Sequence, residues 1–308
     1  MEHKWWTVDV IIPTYRPDEN VTMLVKKLLR QTYPIHEIHI VDTDTGSFPR
    51  ELKELGKPVR ITRIPKKEFD HGGTRRQAAI ESDADILVYM TQDAMPVNDR
   101  LLENLLKPFQ KEEVAAAYAR QLAQPDSGEI EIYTRLFNYP DESCIKSAEN
   151  LEEMGIKTYF CSNVCAAYRK SVYDALGGFE KKIIFNEDMV MAAKMIQSGS
   201  SVAYAADAKV FHSHHYTCTQ QFRRNFDLAV SQTAHPEIFA DIKSESEGIQ
   251  LVKNTAVYLL KRGKPWLILS LILKSAAKYL GFLFGRHYKN LPDRVVLLCT
   301  SNPDYWKN

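Results

Sequence analysis

Four short apolar segments, separated by helical patterns and turns and mostly ending on polar residues, restrict this chain to a narrow set of folds. Val8 to Ile12 is β-branched and ends at Pro13, Glu37 to Val41 ends at Asp42, and Val59 to Ile64 is a third strand. Asp85 to Thr91 is a fourth, apolar enough to be buried on both faces. Between the first two, Val21, Leu24, Val25, Leu28 and Leu29 share one helical face, and ahead of the fourth a Gly-Gly turn opens a predicted helix over Thr74 to Glu81. Strands alternating with helices require right-handed crossovers and a mostly parallel sheet. The predicted class is therefore α/β and Rossmann-like, a central sheet flanked by helices, with ligands at the carboxyl ends of its strands.

Further along, Asn98 to Phe109 reads as a helix, and the less regular stretch Gln124 to Gly155 suits a half built for an acceptor. Met189 to Gln197 is helical and stops at Ser198-Gly199, and a short strand, Lys209 to Phe211, leads into His212. From Thr219 onward the pattern is helical, so the expected division is a catalytic domain over 1–217 and a helical C-terminal region over 218–308. Within that region the apolar run Trp266 to Leu273 is interrupted by Lys274 and Lys278, short of the ~17–25 residues of a membrane span. Lys261, Arg262, Lys264, Arg286 and Lys289, interleaved with Trp266, Tyr279, Phe282 and Phe284, fit a helical region, 264–289, lying on an anionic membrane surface. A core helix with a solvated basic edge is the alternative.

Charge and cysteine usage narrow the setting. A net charge of +1 gives no global field for nucleic acid. Five scattered cysteines without a CxxC pair suit reduced thiols in the cytosol and argue against a cysteine zinc site. The opening MEHKWWTVDVIIPTY carries acids and runs straight into a strand, so no signal peptide is expected and the mature chain is expected to begin there.

The polar clusters at the predicted strand ends are Pro13-Thr14-Tyr15-Arg16, Asp42-Thr43-Asp44 and Thr91-Gln92-Asp93. Asp93 is placed to hold a divalent cation against phosphate oxygens, although an Asx turn is its plainer use. Asp42 and Asp44 stand where dinucleotide folds put an acid that binds a ribose hydroxyl. In His71-Gly72-Gly73-Thr74-Arg75-Arg76, glycines and guanidinium groups at a helix start favour phosphate. Of Glu187 and Asp188, just ahead of the Met189 helix, one is a candidate cap and the other a candidate general base. His212 and His214, two apart on a strand end, project to one face and can complete a metal site with Asp93. Cys161-Ser162-Asn163 reads as a loop shaping the acceptor site, since no general base is spaced to activate a nucleophile.

In order, VIIPTYR, IVDTDTG, FDHGGTRRQA, YMTQDA, FCSNVCAAYRKSVYDALGGF, FNEDMVMAAKMIQSG and VFHSHHYT resemble the inverting family 2 glycosyltransferases of GT-A fold. The Phe-Asp-His-Gly-Gly-Thr-Arg, Thr-Gln-Asp-Ala and His-Ser-His motifs are similar to the bacterial rhamnosyltransferase branch, which uses dTDP-L-rhamnose for cell-surface polysaccharides. The resemblance implies nucleotide-sugar contacts at Thr14, Tyr15, Arg16, Asp42, Asp44, Gly73, Arg75, Gln92 and Asp93. It also implies Asp188, beside Glu187, as catalytic base, Asp93 with His212 and His214 around Mg2+ or Mn2+, and Ser162 and Asn163 at the acceptor. Thr91 stands where the family's metal motif has its first acid. The implied reaction is transfer of rhamnose to a lipid-linked glycan at the cytoplasmic face of the membrane. A UDP-hexose donor, or a binding subunit without catalysis, is also compatible with the sequence.

Overall fold

The computed structural model describes residues 5–240 and 245–307, so the first four residues of the N-terminal segment read for a leader lie outside the described residues. In chain order the elements are β1 (Val8–Tyr15), α1 (Glu19–Leu28), β2 (Glu37–Asp44), α2 (Arg50–Glu54), β3 (Val59–Pro65), α3 (His71–Ile80), β4 (Ile86–Met90) and β5 (Met95–Pro96). Next come α4 (Leu101–Leu106), β6 (Val114–Leu122), α5 (Glu129–Asn138), β7 (Cys144–Lys146), α6 (Leu151–Met154), β8 (Cys165–Arg169) and α7 (Lys170–Ala175). The chain continues through α8 (Glu187–Gln197), β9 (Ser201–Phe211), α9 (Cys218–Ala234), α10 (Pro236–Phe239), α11 (Glu245–Lys261), α12 (Leu267–Arg286) and α13 (Asp293–Cys299). They group into two compact units: residues 1–122, 139–181 and 187–212, and residues 123–138, 182–186 and 213–308.

The first unit is built on one nine-stranded sheet in the order β3-β2-β1-β4-β8-β6-β9-β5, with β7 paired to β9. β3, β2, β1 and β4 are parallel, which aligns their carboxyl ends along one edge. β4 is buried at all five positions, as its uninterrupted apolar sequence predicts. β8 then enters antiparallel, with Cys165 opposite Met90 and Arg169 opposite Ile86. Tyr89, Tyr168, Tyr173 and Phe179 close over this junction; the Phe179 ring centroid lies 5.0 Å from Tyr89, 5.4 Å from Tyr168 and 5.0 Å from Tyr173.

Two central strands carry little strand signal in sequence. β6 is VAAAYARQL and the first half of β9 is SVAYAAD, both rich in alanine, which has weak strand preference. They pair parallel to each other, Ala117 beside Ala203 and Tyr118 beside Tyr204. Burial of the pair, rather than local propensity, makes them strands. β9 therefore starts at Ser201, well before the Lys209 predicted from its β-branched end.

The second unit is helical. α9 opens with a capping box between Thr217 and Gln220. Asp227 on α9 accepts from Thr300 Oγ1 at 2.6 Å and from the Ser301 N–H at 2.8 Å, tying the C-terminal segment to that helix. α11 meets α5 through Glu129, which accepts from Tyr258 at 2.8 Å and Lys264 at 2.7 Å. α12 runs for 20 residues, far beyond the Trp266 to Leu273 run, and is long and apolar enough by length and composition to cross a membrane. The lysines do not break it, because lysine is a good helix former. Lys278 faces Glu131, Arg135 and Arg224, and burial lowers its pKa. The outward stripe of α12 is apolar: Leu269, Ile272, Leu273, Tyr279, Leu280 and Leu283 are exposed.

α12 approaches α9 at two glycines one turn apart. A Cβ on Gly281 would run into the Phe222 carbonyl, and one on Gly285 would meet the Phe226 carbonyl and the Ala229 methyl. Neither obstacle is a flexible side-chain end, so Gly281→Ala should cost about 1–3 kcal/mol of stability, read as a lowered urea midpoint with an unchanged slope.

Candidate active site

The carboxyl ends of β1, β2 and β4 bring the first predicted cluster together. Thr14 Oγ1 donates to Asp42 at 2.9 Å, and Arg63, from β3, bridges Asp42 at 3.3 Å and Asp44 at 2.6 Å. Asp42 is fully buried, and burial raises its pKa against the opposing pull of Thr14 and Arg63. Asp44 stays half-exposed and turns the chain by accepting from the Gly46 N–H at 2.8 Å. Gln92 pairs with the Tyr15 backbone at both amide atoms, accepting from N at 2.8 Å and donating to O at 3.2 Å, which joins the end of β1 to the loop after β4. Arg16 holds a left-handed φ of 51° and lies over the exposed Tyr15 ring at 5.3 Å. α3 starts at His71 rather than Thr74, because Asp70 caps it by accepting from the Gly73 N–H. Gly73 has no room for a side chain: a Cβ would lie 2.8 Å from that carboxylate.

The next pair follows from sheet register. Met95 on β5 pairs with Phe211 on β9, so the turn holding Asp93 lies beside the end of β9. His212 Nε2 is 3.6 Å from Asp93 Oδ2. Its Nδ1 lies 2.9 Å from Gln121 Oε1, and the Gln121 amide donates in turn to Ser162 Oγ at 2.9 Å. With the Gln121 oxygen facing Nδ1, His212 is held through that nitrogen and turns Nε2 toward Asp93. An imidazole anchored through its far nitrogen beside a carboxylate is a donor set that suits Mn2+ or Mg2+. His214 falls in the second unit, where its ring stacks on Tyr216 at 4.7 Å.

The carboxylate pair sits in the first turn of α8, not ahead of it, where the helix dipole favours negative charge. Asp188 accepts from the Asn163 N–H at 2.9 Å and the Met189 N–H at 2.8 Å. Glu187 accepts from Asn163 Nδ2 at 3.1 Å and pairs with Arg75 at 3.3 Å. Burial, then the Glu187 charge, pushes the Asp188 pKa up to about 7. Burial also acts upward on Glu187, but Arg75, His71 and Asn163 outweigh it and hold that carboxyl below its ordinary value. Asn163 itself is 3% exposed, and its Oδ1 accepts from Tyr168 at 2.9 Å. Its side chain thus serves the carboxylates, and Ser162 beside it serves the Gln121 relay. Cys161, held near about 12 by burial, is an unreactive thiol.

Comparison with known proteins agrees with this arrangement. The model of the family described as glycosyl transferase family 2 matches residues 9–177, more than half of the chain. The chain belongs to glycosyl transferase family 2. It is 37% identical over 303 residues to the O-antigen chain rhamnosyltransferase RfbN of Salmonella typhimurium, covering 98% of this chain and 96% of that one. It is 40% identical over 281 residues to WbaN of Salmonella anatum, also an O-antigen chain rhamnosyltransferase, covering 91% and 89%. Among solved structures it shares the fold of a Pyrobaculum calidifontis mannosyltransferase determined with GDP-mannose and Mn2+. That likeness has a TM-score of 0.59 and 18% identity, over 98% of this chain and 83% of the other. The fold is that of the GT-A glycosyltransferases.

Three contributors to the candidate site are not marked by the sequence: Arg63 and Gln121 lie outside the quoted motifs, and Tyr168 lies within one without a role assigned to it. Arg63, Gln121 and Tyr168 lie on strands, and only the pairing of those strands brings them to Asp42, His212 and Asn163. A base must lose its proton before it works, so turnover should rise through about pH 7, the value to which Asp188 is pushed. Asp188→Asn should lower kcat by about 10²–10⁴ with little change in donor KM, and should abolish that acid limb in initial-rate measurements.

Proposed function

We propose that this glycosyltransferase transfers L-rhamnose from dTDP-β-L-rhamnose to a hydroxyl of a lipid-linked glycan during O-antigen synthesis at the cytoplasmic face of the membrane. The observation that carries the donor is the match, over almost the whole chain, to two O-antigen chain rhamnosyltransferases. The reaction fits the base at the head of α8. Asp188 takes the acceptor's hydroxyl proton, the freed oxygen attacks the anomeric carbon, and the bond from that carbon to the diphosphate breaks on the opposite side. The nucleoside diphosphate leaves with the bonding electrons, and the single displacement inverts the centre. Asp93 and His212 would hold a divalent cation. Such a cation, when bound, neutralises charge on the departing diphosphate. Tyr15, Arg16 and Asp44 would receive the nucleoside and sugar, with the buried Thr14–Asp42 pair behind them, Gly73 and Gln92 framing that pocket and the loop of Ser162 and Asn163 on the acceptor side.

The outward stripe of α12 supports contact with the lipid that carries the acceptor. Its exposed leucines and Tyr279, flanked by the exposed Lys261 and by Arg286 and Lys289, form an apolar surface with basic ends. A helix packed along one side and apolar on the other fits a position in the membrane plane.

With Mn2+ present, nucleoside diphosphate should be released from dTDP-rhamnose at least about tenfold faster than from UDP-glucose, UDP-galactose or UDP-N-acetylglucosamine, and excess chelator should remove the activity. Preference for a UDP-sugar would overturn the donor assignment. In sedimentation with anionic vesicles, Leu273→Glu with Leu280→Glu should cut bound protein by about tenfold or more, two apolar contacts becoming two charges facing an anionic surface. Unchanged binding would remove α12 from the contact.

A further inference from the structure

The two halves of the first unit are bridged at the base by one buried cation. Arg75, in the second turn of α3, is 6% exposed. Its Nη1 lies 2.8 Å from the His71 carbonyl, to which it donates, and 3.3 Å from Glu187 Oε1, while its Nε is buried without a hydrogen-bond partner. The guanidinium therefore points from α3 at the carboxylate pair in the first turn of α8. Two neighbouring buried carboxylates resist ionising together, and the state of one sets the affinity of the other for its proton. Glu187 already receives the Asn163 amide, and Arg75 adds the positive charge that settles which of the two is ionised first.

We propose that Arg75 is a positioning residue for the catalytic base: it holds Glu187 as the ionised member of the pair and so leaves Asp188 as the member that takes the acceptor's proton. The inference rests on reading Asp188 as the base. The groups facing the pair are Arg75 and His71 from α3, Cys161 and Asn163 ahead of β8, and Tyr168 from β8. Lys194, on α8 itself, is engaged by Glu180. Among these, Arg75 is the cation in direct contact with Glu187 and the largest of the influences that oppose its burial.

The test is a cycle of Arg75→Met, Glu187→Gln and the two combined. For each protein the pH dependence of nucleoside diphosphate release is measured with Mn2+ and dTDP-rhamnose, or the donor that replaces it in the panel above. In Arg75→Met the acid limb should move up by about one pH unit, because both carboxyls then compete for protons without a cation. In Glu187→Gln it should move down, and in the double variant it should fall well below that of Arg75→Met. Donor KM in Arg75→Met should change by less than about threefold. An unmoved limb with donor KM raised about tenfold or more would overturn the proposal and make Arg75 a donor ligand, as would a double variant no different from Arg75→Met.

Thermal unfolding gives a readout without turnover. Loss of Arg75 raises the folded-state pKa of carboxyls above their unfolded values, so stability is kept at low pH and lost as pH rises through the folded pKa. The Tm deficit of Arg75→Met should therefore grow from pH 5 to pH 8 and shrink in the double variant, which keeps Asp188 as the one carboxyl of the pair and tests the coupling even if Arg75→Met folds poorly. A deficit that is flat with pH would overturn the coupling. Full activity in Asp188→Asn, by contrast, would overturn the base assignment while leaving the thermal coupling of Arg75 and Glu187 standing.

Discussion

β8 runs antiparallel beside β4, and this single reversal of strand direction decides where the catalytic groups meet. Its first residue, Cys165, lies opposite Met90 at the end of β4, so the loop that precedes β8 opens on the same edge as the loop that follows β4. The Thr91 N–H donates to the Val164 carbonyl at 3.2 Å and fastens the two loops together. Had β8 been parallel, Ser162 and Asn163 would lie at the amino edge, far from Asp93. The second half of the sheet repeats the logic. β6 and β9 are parallel and finish together at Leu122 and Phe211, which sets Gln121 and His212 on the carboxyl edge as well. The site is thus a property of strand order, and the aromatic cluster of Tyr89, Tyr168, Tyr173 and Phe179 packs over the seam where the direction reverses.

The base shows how burial and hydrogen bonding divide two chemically similar side chains. Glu187 and Asp188 are neighbours in one helical turn, yet one is held charged by a cation and an amide while the other accepts from two backbone N–H groups. Environment, not residue type, holds the Glu187 carboxyl below its ordinary pKa and raises that of Asp188. Sequence shows the two carboxylates and leaves their division of labour open, because the deciding partners come from positions 75 and 163.

The parallel first half was legible because its strands are β-branched and its helices amphipathic, and the acids at its strand ends fell where such a sheet puts ligands. β6 and most of β9 were not, since alanine-rich strands owe their form to the neighbours they pair with. Helix starts were shifted for a local reason. Capping by Asp70 starts α3 at His71, three residues before the predicted Thr74, and Glu187 and Asp188 lie inside α8 because acids are stable in a first turn. Motifs drew attention to Asp93, Asp188 and His212, whereas the contacts that Arg63, Gln121 and Tyr168 make to Asp42, His212 and Asn163 appear only once register is known. Lys274 and Lys278 read as breaks in an apolar run, yet on a helix they fall on a different face from the leucines.

The glycines of α12 carry a consequence for that helix. With Gly281 and Gly285 seated against the backbone of α9, α12 has no freedom to turn about its own axis: a twist of one residue, about 100°, would carry a larger side chain into the Phe222 carbonyl. The azimuth of the apolar stripe is therefore locked by two missing methyl groups, and the second unit presents a greasy ridge of fixed bearing rather than a roller.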